Sequence, residues 1–119
     1  MNSTSGNYKK VIEYISNHFQ SEDCIASTIC IELDISRSTL HRIVKAHSGQ
    51  STTNYINNLR LARGLMLLQQ GGIKIKEVTL TVGFTDAKYF SRLFKRKYGI
   101  SPTEFLKSLR VKTTTEKNA

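Results

Sequence analysis

The chain lacks the features that usually mark a membrane, secreted or low-complexity protein. Its 119 residues include no Trp, one Pro and two Cys, and its longest unbroken apolar run is the four residues Leu65–Leu68. A helix needs roughly 20 apolar residues to cross a bilayer, and the N-terminal MNSTSGNYKK has no apolar segment of the kind found in secretory signals. The sequence therefore predicts a cytoplasmic protein.

Metal, redox and catalytic chemistry also find little support. Cys24 and Cys30 lie six residues apart, outside the Cys-x-x-Cys pattern, and are expected to be reduced structural thiols. No two of the three histidines have the i, i+4 spacing that directs two imidazoles at one metal ion. There is no nucleophile elbow or glycine-rich phosphate loop, and 39% hydrophobic residues predict a core too thin for a deep substrate pocket. We therefore expect that the protein is not an enzyme and that it binds neither a cofactor nor a metal ion.

Positive charge is abundant and unevenly placed. The 18 Lys and Arg against 9 Asp and Glu give a net charge of +9. Residues 1–50 hold five basic and five acidic residues, whereas residues 51–119 hold thirteen basic and four acidic ones. Such a concentrated field suits a polyanion, because each neutralised phosphate releases condensed counterions. Charge alone leaves two readings open, a nucleic-acid partner or a solvated basic face.

Apolar periodicity predicts an all-α fold of about seven helices, between ends at residues 1–7 and 111–119 that are expected to be disordered. Helical segments are predicted at about 7–19, 26–33, 37–47, 53–70, 75–82 and 86–97. The last helix is expected to start at Ser101-Pro102-Thr103-Glu104, which has the form of a capping box with Pro at the first helical position.

The segment 53–70 is expected to be a linker helix between two subdomains, residues 8–52 and 71–110. One of its faces carries Tyr55, Ile56, Leu59, Ala62 and Met66, and another carries Leu61, Leu65 and Leu68. A helix that is apolar on both faces must bury both. The linker helix is therefore predicted to be a strut packed against both subdomains and ended by Gly71-Gly72.

An internal repeat relates the two subdomains. Shifting the sequence by 50 residues pairs Arg42 with Arg92, Lys45 with Lys95, Gly49 with Gly99 and Ser51 with Ser101. Upstream the shift is 49 residues and pairs Ile29 with Val78 and Leu33 with Val82. Amphipathic helices often match by chance in their apolar positions, but seldom also in Gly, Ser, Arg and Lys. The sequence therefore predicts two helix-turn-helix units.

The second helix of each unit is expected to have an apolar inner face and a polar outer face. The inner residues are Leu40, Ile43, Val44 and His47 in the first unit and Tyr89, Phe90, Leu93 and Phe94 in the second. The outer residues are Ser38, His41, Arg42 and Lys45 in the first unit and Lys88, Ser91, Arg92 and Lys95 in the second. Cationic and hydrogen-bonding side chains on a helix that follows a turn are suited to base edges in the major groove of DNA.

Several stretches resemble the AraC/XylS family of bacterial transcription regulators. Its signature is matched by IKEVT at residues 75–79 and by VGFTDAKYFSRLFKRKYGISPTEF at residues 82–105. The segments ISRSTLHRIVKAHSGQS (35–51) and YINNLRLARGLMLL (55–68) look like the corresponding earlier parts, so the resemblance covers about residues 8–110. It implies two three-helix lobes joined by a long helix, with recognition helices in successive major-groove segments of double-stranded DNA, about 34 Å apart.

The outer faces and the resemblance together give a set of DNA-contacting residues. Base contacts are expected from Ser38, His41, Arg42, Ala87, Lys88, Ser91 and Arg92. Phosphate contacts are expected from Arg37, Lys45, Lys74, Lys76 and Lys95. The helices entered at Ile25 and Lys74 lack a capping Ser, Thr or Asp, and a phosphate beside Lys74 and Lys76 would supply both an acceptor and a negative charge.

The resemblance has departures, because Asp34 stands where the family has a turn Gly, and Cys30 and Thr79 stand where it has Ala. The favoured function is that of a sequence-specific transcription regulator, associated with the nucleoid. The alternatives are an architectural DNA binder with weak sequence preference and an output module that contacts a protein such as RNA polymerase. The resemblance implies a monomer, either a free-standing regulator or the C-terminal output domain of a longer one.

Overall fold

The computed structural model describes the backbone of residues 3–118 and the side chains of residues 6–110, and all regular structure in these ranges is α-helical. The helices are α1 (Ser3–His18), α2 (Ala26–Leu33), α3 (Arg37–Ser48), α4 (Thr52–Gln70), α5 (Ile75–Thr81), α6 (Ala87–Tyr98) and α7 (Pro102–Asn118). The predicted all-α fold is confirmed. Among the described helices, none combines the length and apolarity that a membrane span requires.

The inner helix boundaries match the sequence-based ones, but the two ends differ. Helices α2 to α6 begin and end within one residue of their predicted bounds. Helix α1 begins at Ser3 and α7 continues to Asn118, where disorder was predicted for residues 1–7 and 111–119; residues 1, 2 and 119 lie outside the described range. Extending a formed helix adds one hydrogen bond per residue without the cost of nucleation. Polar residues can therefore continue a helix beyond the boundary that apolar periodicity predicts.

The start of α7 shows the predicted capping box. Ser101 Oγ accepts a hydrogen bond from the N–H of Glu104 at 3.1 Å, and the N–H of Ser101 donates to Glu104 Oε1 at 3.3 Å. Chiefly because of that backbone donor, the pKa of Glu104 lies below its ordinary value of 4.5. The carboxylate therefore stays ionised beside the positive end of the helix dipole, where its charge is favourable.

The chain divides into two compact units, residues 1–60 and residues 61–119. The first unit has a mainly aliphatic core, with no member more than 3% exposed, that consists of Val11, Ile15, Cys24, Ile29, Leu40, Ile43, Val44 and Ile56. These residues come from α1, α2, α3, the first half of α4 and the loop before α2. The core therefore fixes the inner face of α3 against three other helices.

The second unit has an aromatic core. Its fully buried members are Leu61, Leu68, Val78, Val82, Phe84, Phe90 and Phe94. The Phe90 ring centroid lies 5.4 Å from that of Phe84 and 5.7 Å from that of Phe94. Helix α4 approaches this cluster at Gly64, where an added Cβ would meet Phe90 Cε1 at 3.1 Å. The close approach of α4 and α6 therefore requires the missing side chain.

Helix α4 contributes to both cores, but not along the two full faces that the sequence predicted. Ile56 belongs to the first core, and Leu61 and Leu68 belong to the second. Ala62 is exposed and Met66 is 47% exposed, which corrects their assignment to a buried face. Tyr55 and Leu59 pack against the first core, whereas the same face further along α4, at Met66, is exposed to solvent.

Both cysteines are free, as predicted. Cys24 is buried in the first core and Cys30 is half-buried on α2. Burial raises the pKa of the Cys24 thiol, and the positive charge of Arg60 opposes this effect in part. The thiol is therefore kept protonated and unreactive.

Arg60 holds the loop between α1 and α2. Its side chain is 7% exposed, and its guanidinium donates to the carbonyl oxygens of Phe19 at 2.7 Å, Ser21 at 2.9 Å and Cys24 at 3.2 Å. These carbonyls lie in the irregular segment that follows α1, where no helical N–H is available to them. Arg60 is one of the thirteen basic residues counted in residues 51–119, but its side chain is buried and stabilises the fold.

Replacing Arg60 should destabilise the protein strongly. Arg60→Leu should lower the free energy of unfolding by about 2–4 kcal/mol, because it removes three hydrogen bonds, one of them to the buried carbonyl oxygen of Cys24. Arg60→Lys should lower the free energy of unfolding by less, since an ammonium group can still reach one of the three carbonyl oxygens. Urea denaturation followed by circular dichroism measures both values, with Arg63→Leu on the same helix as the control. Equal stability of Arg60→Leu and the wild type would contradict this role.

Candidate nucleic-acid interface

The turn between α2 and α3 depends on one left-handed residue. Asp34 has φ 53° and ψ 54°, and among the described residues no other non-glycine has a positive φ. The N–H of Ile35 donates to the carbonyl oxygen of Cys30 at 3.1 Å, which closes the end of α2. The departure from a turn Gly is therefore accommodated, because Asp adopts this conformation more easily than most residues do.

The turn between α5 and α6 has the same construction. Gly83 has φ 108°, and the N–H of Phe84 donates to the carbonyl oxygen of Thr79 at 3.0 Å. Gly83, Phe84 and Thr79 are the counterparts of Asp34, Ile35 and Cys30 at the predicted shift of 49 residues. The repeat found in the sequence is therefore a repeat of backbone geometry.

The helix after each turn is capped in the same way at both ends. Ser36 Oγ accepts from the N–H of Thr39 at 3.1 Å at the start of α3. Asp86 Oδ1 accepts from the N–H of Lys88 at 2.9 Å at the start of α6. Both helices have 12 residues and end at a left-handed glycine, Gly49 with φ 75° and Gly99 with φ 87°. We call α3 and α6 the recognition helices.

Recognition helix α3 separates into the predicted faces, with one exception. Leu40, Ile43 and Val44 are buried in the first core. Its exposed predicted DNA contacts are Arg37, Ser38, His41, Arg42 and Lys45. His47 was expected on the inner face and is exposed, although it faces the neighbouring helices: its Nδ1 lies 2.6 Å from the hydroxyl oxygen of Tyr8 on α1, and its ring packs edge-on against Tyr55 on α4.

Recognition helix α6 shows the same division. Phe90 and Phe94 are buried, and Tyr89 and Leu93 are half-buried. The exposed predicted contacts are Ala87, Lys88, Arg92 and Lys95, while Ser91 is half-buried. The guanidinium carbon of Arg92 lies 5.4 Å from the centroid of the Tyr89 ring. This cation–π contact orients the Arg92 side chain at a modest energy that does not prevent it from moving to a ligand.

The two remaining predicted contacts lie at the start of α5. Lys74 and Lys76 are exposed, and neither the N-cap residue Lys74 nor its counterpart Ile25 before α2 makes a side-chain capping hydrogen bond. The uncapped helix starts expected from the sequence are confirmed. In α5 one acidic residue, Glu77, lies in the first turn.

Sequence reasoning missed Thr52, which lies behind the outer face of α3. Thr52 is 2% exposed, and its Oγ1 lies 3.4 Å from His41 Nδ1. Beside this pair is a surface recess of about 370 Å³, lined by Arg37, Ser38 and His41 together with Ala26, Leu40, Thr52 and Thr53. Thr52 and His41 lie on different helices, α4 and α3, so no periodicity within one helix could have revealed the contact.

The electrostatic character of this site is cationic. Over the described residues, no group of three or more His, Cys, Asp or Glu side chains is arranged to hold a metal ion. The exposed groups on the two recognition helices are hydroxyl, imidazole, ammonium and guanidinium groups, which donate hydrogen bonds to phosphate oxygens and to acceptors on base edges. The arrangement is therefore suited to binding phosphates and base edges.

Comparisons with known proteins agree with this geometry. A family model described as a helix-turn-helix domain matches residues 29–108. The HTH-type transcriptional activator RhaS of Escherichia fergusonii is 33% identical over 101 residues, which are 85% of this chain and 36% of RhaS. The chain thus spans about a third of the length of this relative.

Solved structures with the same fold include regulator domains. The C-terminal domain of AraT, a response regulator from Geobacillus stearothermophilus, has 27% identity and a TM-score of 0.79, covering 85% of this chain and 84% of that one. The DNA-binding domain of AdpA, solved in complex with a target DNA, has a TM-score of 0.79 over 88% of this chain and 94% of that one. At 20% identity, AdpA shows a shared fold.

Fold, repeat and comparisons define a class of protein, the helix-turn-helix DNA-binding domains of transcription regulators. Within that class, the chain belongs to the AraC/XylS family.

The turn geometry predicts an order of stability at position 34. Asp34→Gly should raise the free energy of unfolding by about 0.5–1 kcal/mol, because glycine has no steric penalty at a positive φ. Asp34→Ala should lower it by a similar amount, and Gly83→Ala, the matched change in the second unit, should also destabilise. Thermal unfolding of the three variants and the wild type measures their order of stability. An Asp34→Ala protein as stable as the Asp34→Gly protein would contradict the assignment.

Proposed function

We propose that the chain binds specific sequences of double-stranded DNA by placing α3 and α6 in successive major-groove segments. The observation that carries this proposal is the pair of exposed outer faces. Arg42 and Lys45 on α3 have the exposed counterparts Arg92 and Lys95 on α6, at the shift of 50 residues. Because both recognition helices belong to one chain, a single copy supplies the two groove contacts for which other helix-turn-helix proteins need a dimer.

The outer faces supply the proposed base contacts from side chains that are all exposed except Ser91, which is half-buried. These are Ser38, His41 and Arg42 from α3, and Ala87, Lys88, Ser91 and Arg92 from α6. An arginine can donate two hydrogen bonds to O6 and N7 of one guanine, which gives each of Arg42 and Arg92 a strong preference among the four bases. The methyl group of Ala87 is suited to the methyl group of thymine.

The proposed phosphate contacts are Arg37, Lys45, Lys74, Lys76 and Lys95, all of them exposed. Contacts of this kind fix the position of the protein on the duplex and add affinity for any sequence. The second unit has the larger share of the positive charge, since residues 61–119 hold twelve Lys and Arg against four acidic residues. We infer that the second unit supplies most of the salt-sensitive affinity.

Contact with a protein such as RNA polymerase is a second candidate function. Ile31 on α2 is 79% exposed and Leu80 on α5 is 56% exposed, and the two occupy counterpart positions at the shift of 49 residues. Two exposed aliphatic side chains at equivalent positions favour a protein contact over a DNA contact. If such contact were the whole function, changes on the recognition helices would leave DNA affinity unaltered.

Arginine substitutions on the recognition helices test the main proposal. Arg42→Ala and Arg92→Ala should each weaken binding to a preferred site by about 1–3 kcal/mol and relax selectivity within one block of bases. Arg96→Ala removes the same charge from an exposed position of α6 outside the proposed contact set, and should preserve the selectivity. Selection from random duplex DNA supplies the site, and fluorescence anisotropy at fixed salt gives the affinities.

The selection also separates the proposal from an architectural role. Two enriched blocks about one helical turn apart are expected from two recognition helices. Enrichment by groove width or flexibility alone, with no preferred base at any position, would instead identify an architectural binder.

Lys76→Ala tests the phosphate contacts. It should weaken binding to all sequences to a similar extent and reduce the slope of log K against log salt by about one unit. Lys10→Ala, which removes an exposed charge from α1, serves as the control for long-range charge effects and should change the slope less. A loss confined to one base position would show that Lys76 reads a base instead.

A further inference from the structure

We propose that Thr52 fixes the tautomer of His41 and thereby determines which base edges His41 can bind. The DNA part of this inference rests on the proposed function, since it takes His41 as a base contact. The tautomer itself is a property of the free protein and stands on the geometry of the first unit alone.

The hydroxyl of Thr52 is buried next to His41. Thr52 is the first residue of α4 and is 2% exposed, and its Oγ1 lies 3.4 Å from His41 Nδ1. In the described part of the chain, no other side-chain hydrogen bond involves this hydroxyl. A buried hydroxyl always carries a proton, and leaving that proton without an acceptor is costly. The hydroxyl therefore donates to His41 Nδ1.

A hydrogen bond in this direction determines the state of the imidazole ring. A neutral histidine has one protonated and one unprotonated ring nitrogen, and the nitrogen that accepts a hydrogen bond is the unprotonated one. Since Nδ1 accepts from Thr52, the proton of neutral His41 lies on Nε2. His41 is an exposed residue of the outer face of α3, so it presents an N–H donor there.

An N–H donor restricts the base edges that His41 can bind. In the major groove it can pair with the acceptors N7 of a purine, O6 of guanine and O4 of thymine. It cannot accept from the amino groups of adenine and cytosine, which the other tautomer could do. Thr52 is therefore a positioning residue that acts through His41, without touching DNA.

The second unit has no equivalent of the hydrogen bond between Thr52 and His41. At the shift of 50 residues, His41 corresponds to Ser91 and Thr52 to Pro102. Proline has no hydroxyl, and a serine hydroxyl can rotate to donate or accept. The hydroxyl–imidazole pair is therefore specific to the first unit. Arg37 and Ser38 line the same recess as His41 and Thr52 and supply further hydrogen-bond donors.

Nitrogen NMR of the free, full chain tests the tautomer. The protein is labelled with ¹⁵N at histidine and studied at about pH 8, where an ordinary imidazole is neutral; His41→Gln identifies the His41 signals by their loss. The wild type should show an unprotonated Nδ1 and a protonated Nε2. Thr52→Val, which keeps the side-chain shape but removes the hydroxyl, should shift the ratio toward the Nδ1–H form, and Thr52→Ser should restore it.

A proton on Nδ1 in the wild type would overturn the inference. So would an identical tautomer ratio in the wild type and Thr52→Val. Should Thr52→Val fail to fold, Thr52→Ala, which also lacks the hydroxyl, gives the same comparison with the wild type and Thr52→Ser.

A DNA selection tests the consequence for recognition. At the base position that His41→Ala leaves unselected, the wild type and Thr52→Ser should favour an acceptor edge by roughly two- to tenfold, as one hydrogen bond would give. Thr52→Val should lose that preference while preserving selection at positions read by α6. Unchanged preference in Thr52→Val would overturn the inference and leave the proposed function intact. Absence of any enriched site in the wild type would instead overturn the proposed function.

Discussion

The left-handed residue in each helix-helix turn is the constraint on which both recognition faces depend. Asp34 and Gly83 reverse the chain at the end of α2 and α5, so that α3 and α6 start after only a few residues. With the turn fixed, Leu40 meets the first core and Phe90 the second. Helical periodicity then directs the residues one and two positions further along to solvent. A change of turn conformation would rotate the whole outer face.

The repeat preserves these constraints while the cores differ. N-caps, left-handed glycine ends and outer charges recur, as Gly49 and Gly99 show. The buried side chains do not recur in kind, since Val44 in an aliphatic core corresponds to Phe94 in an aromatic one. A core tolerates different side chains if its volume is filled, whereas a turn conformation and an outward charge have few substitutes. The preserved features are therefore those that position and equip the recognition helices.

Local signals account for what the sequence predicted well. Apolar spacing and caps are properties of neighbouring residues, so the bounds of α2 to α6 and the capping box at Ser101 could be predicted. Contacts between residues that are far apart in the sequence could not be predicted from such signals. Arg60 binds carbonyls 36 to 41 residues earlier in the chain, and a count of charges cannot distinguish a buried guanidinium from a surface one. The exposure of Met66 has the same origin, because it depends on where a neighbouring core ends.

The two units differ most in how they combine charge with hydrogen bonding. In the proposed DNA complex, the basic second unit contributes attraction that depends on salt and little on sequence. The first unit has balanced charge through residue 50, so non-specific attraction there is weak and directional hydrogen bonds decide more of its binding. A buried hydroxyl that orients one imidazole matters most in such a unit, because the preference it creates is not masked by a large non-specific affinity. The position of Thr52 behind α3 fits this division.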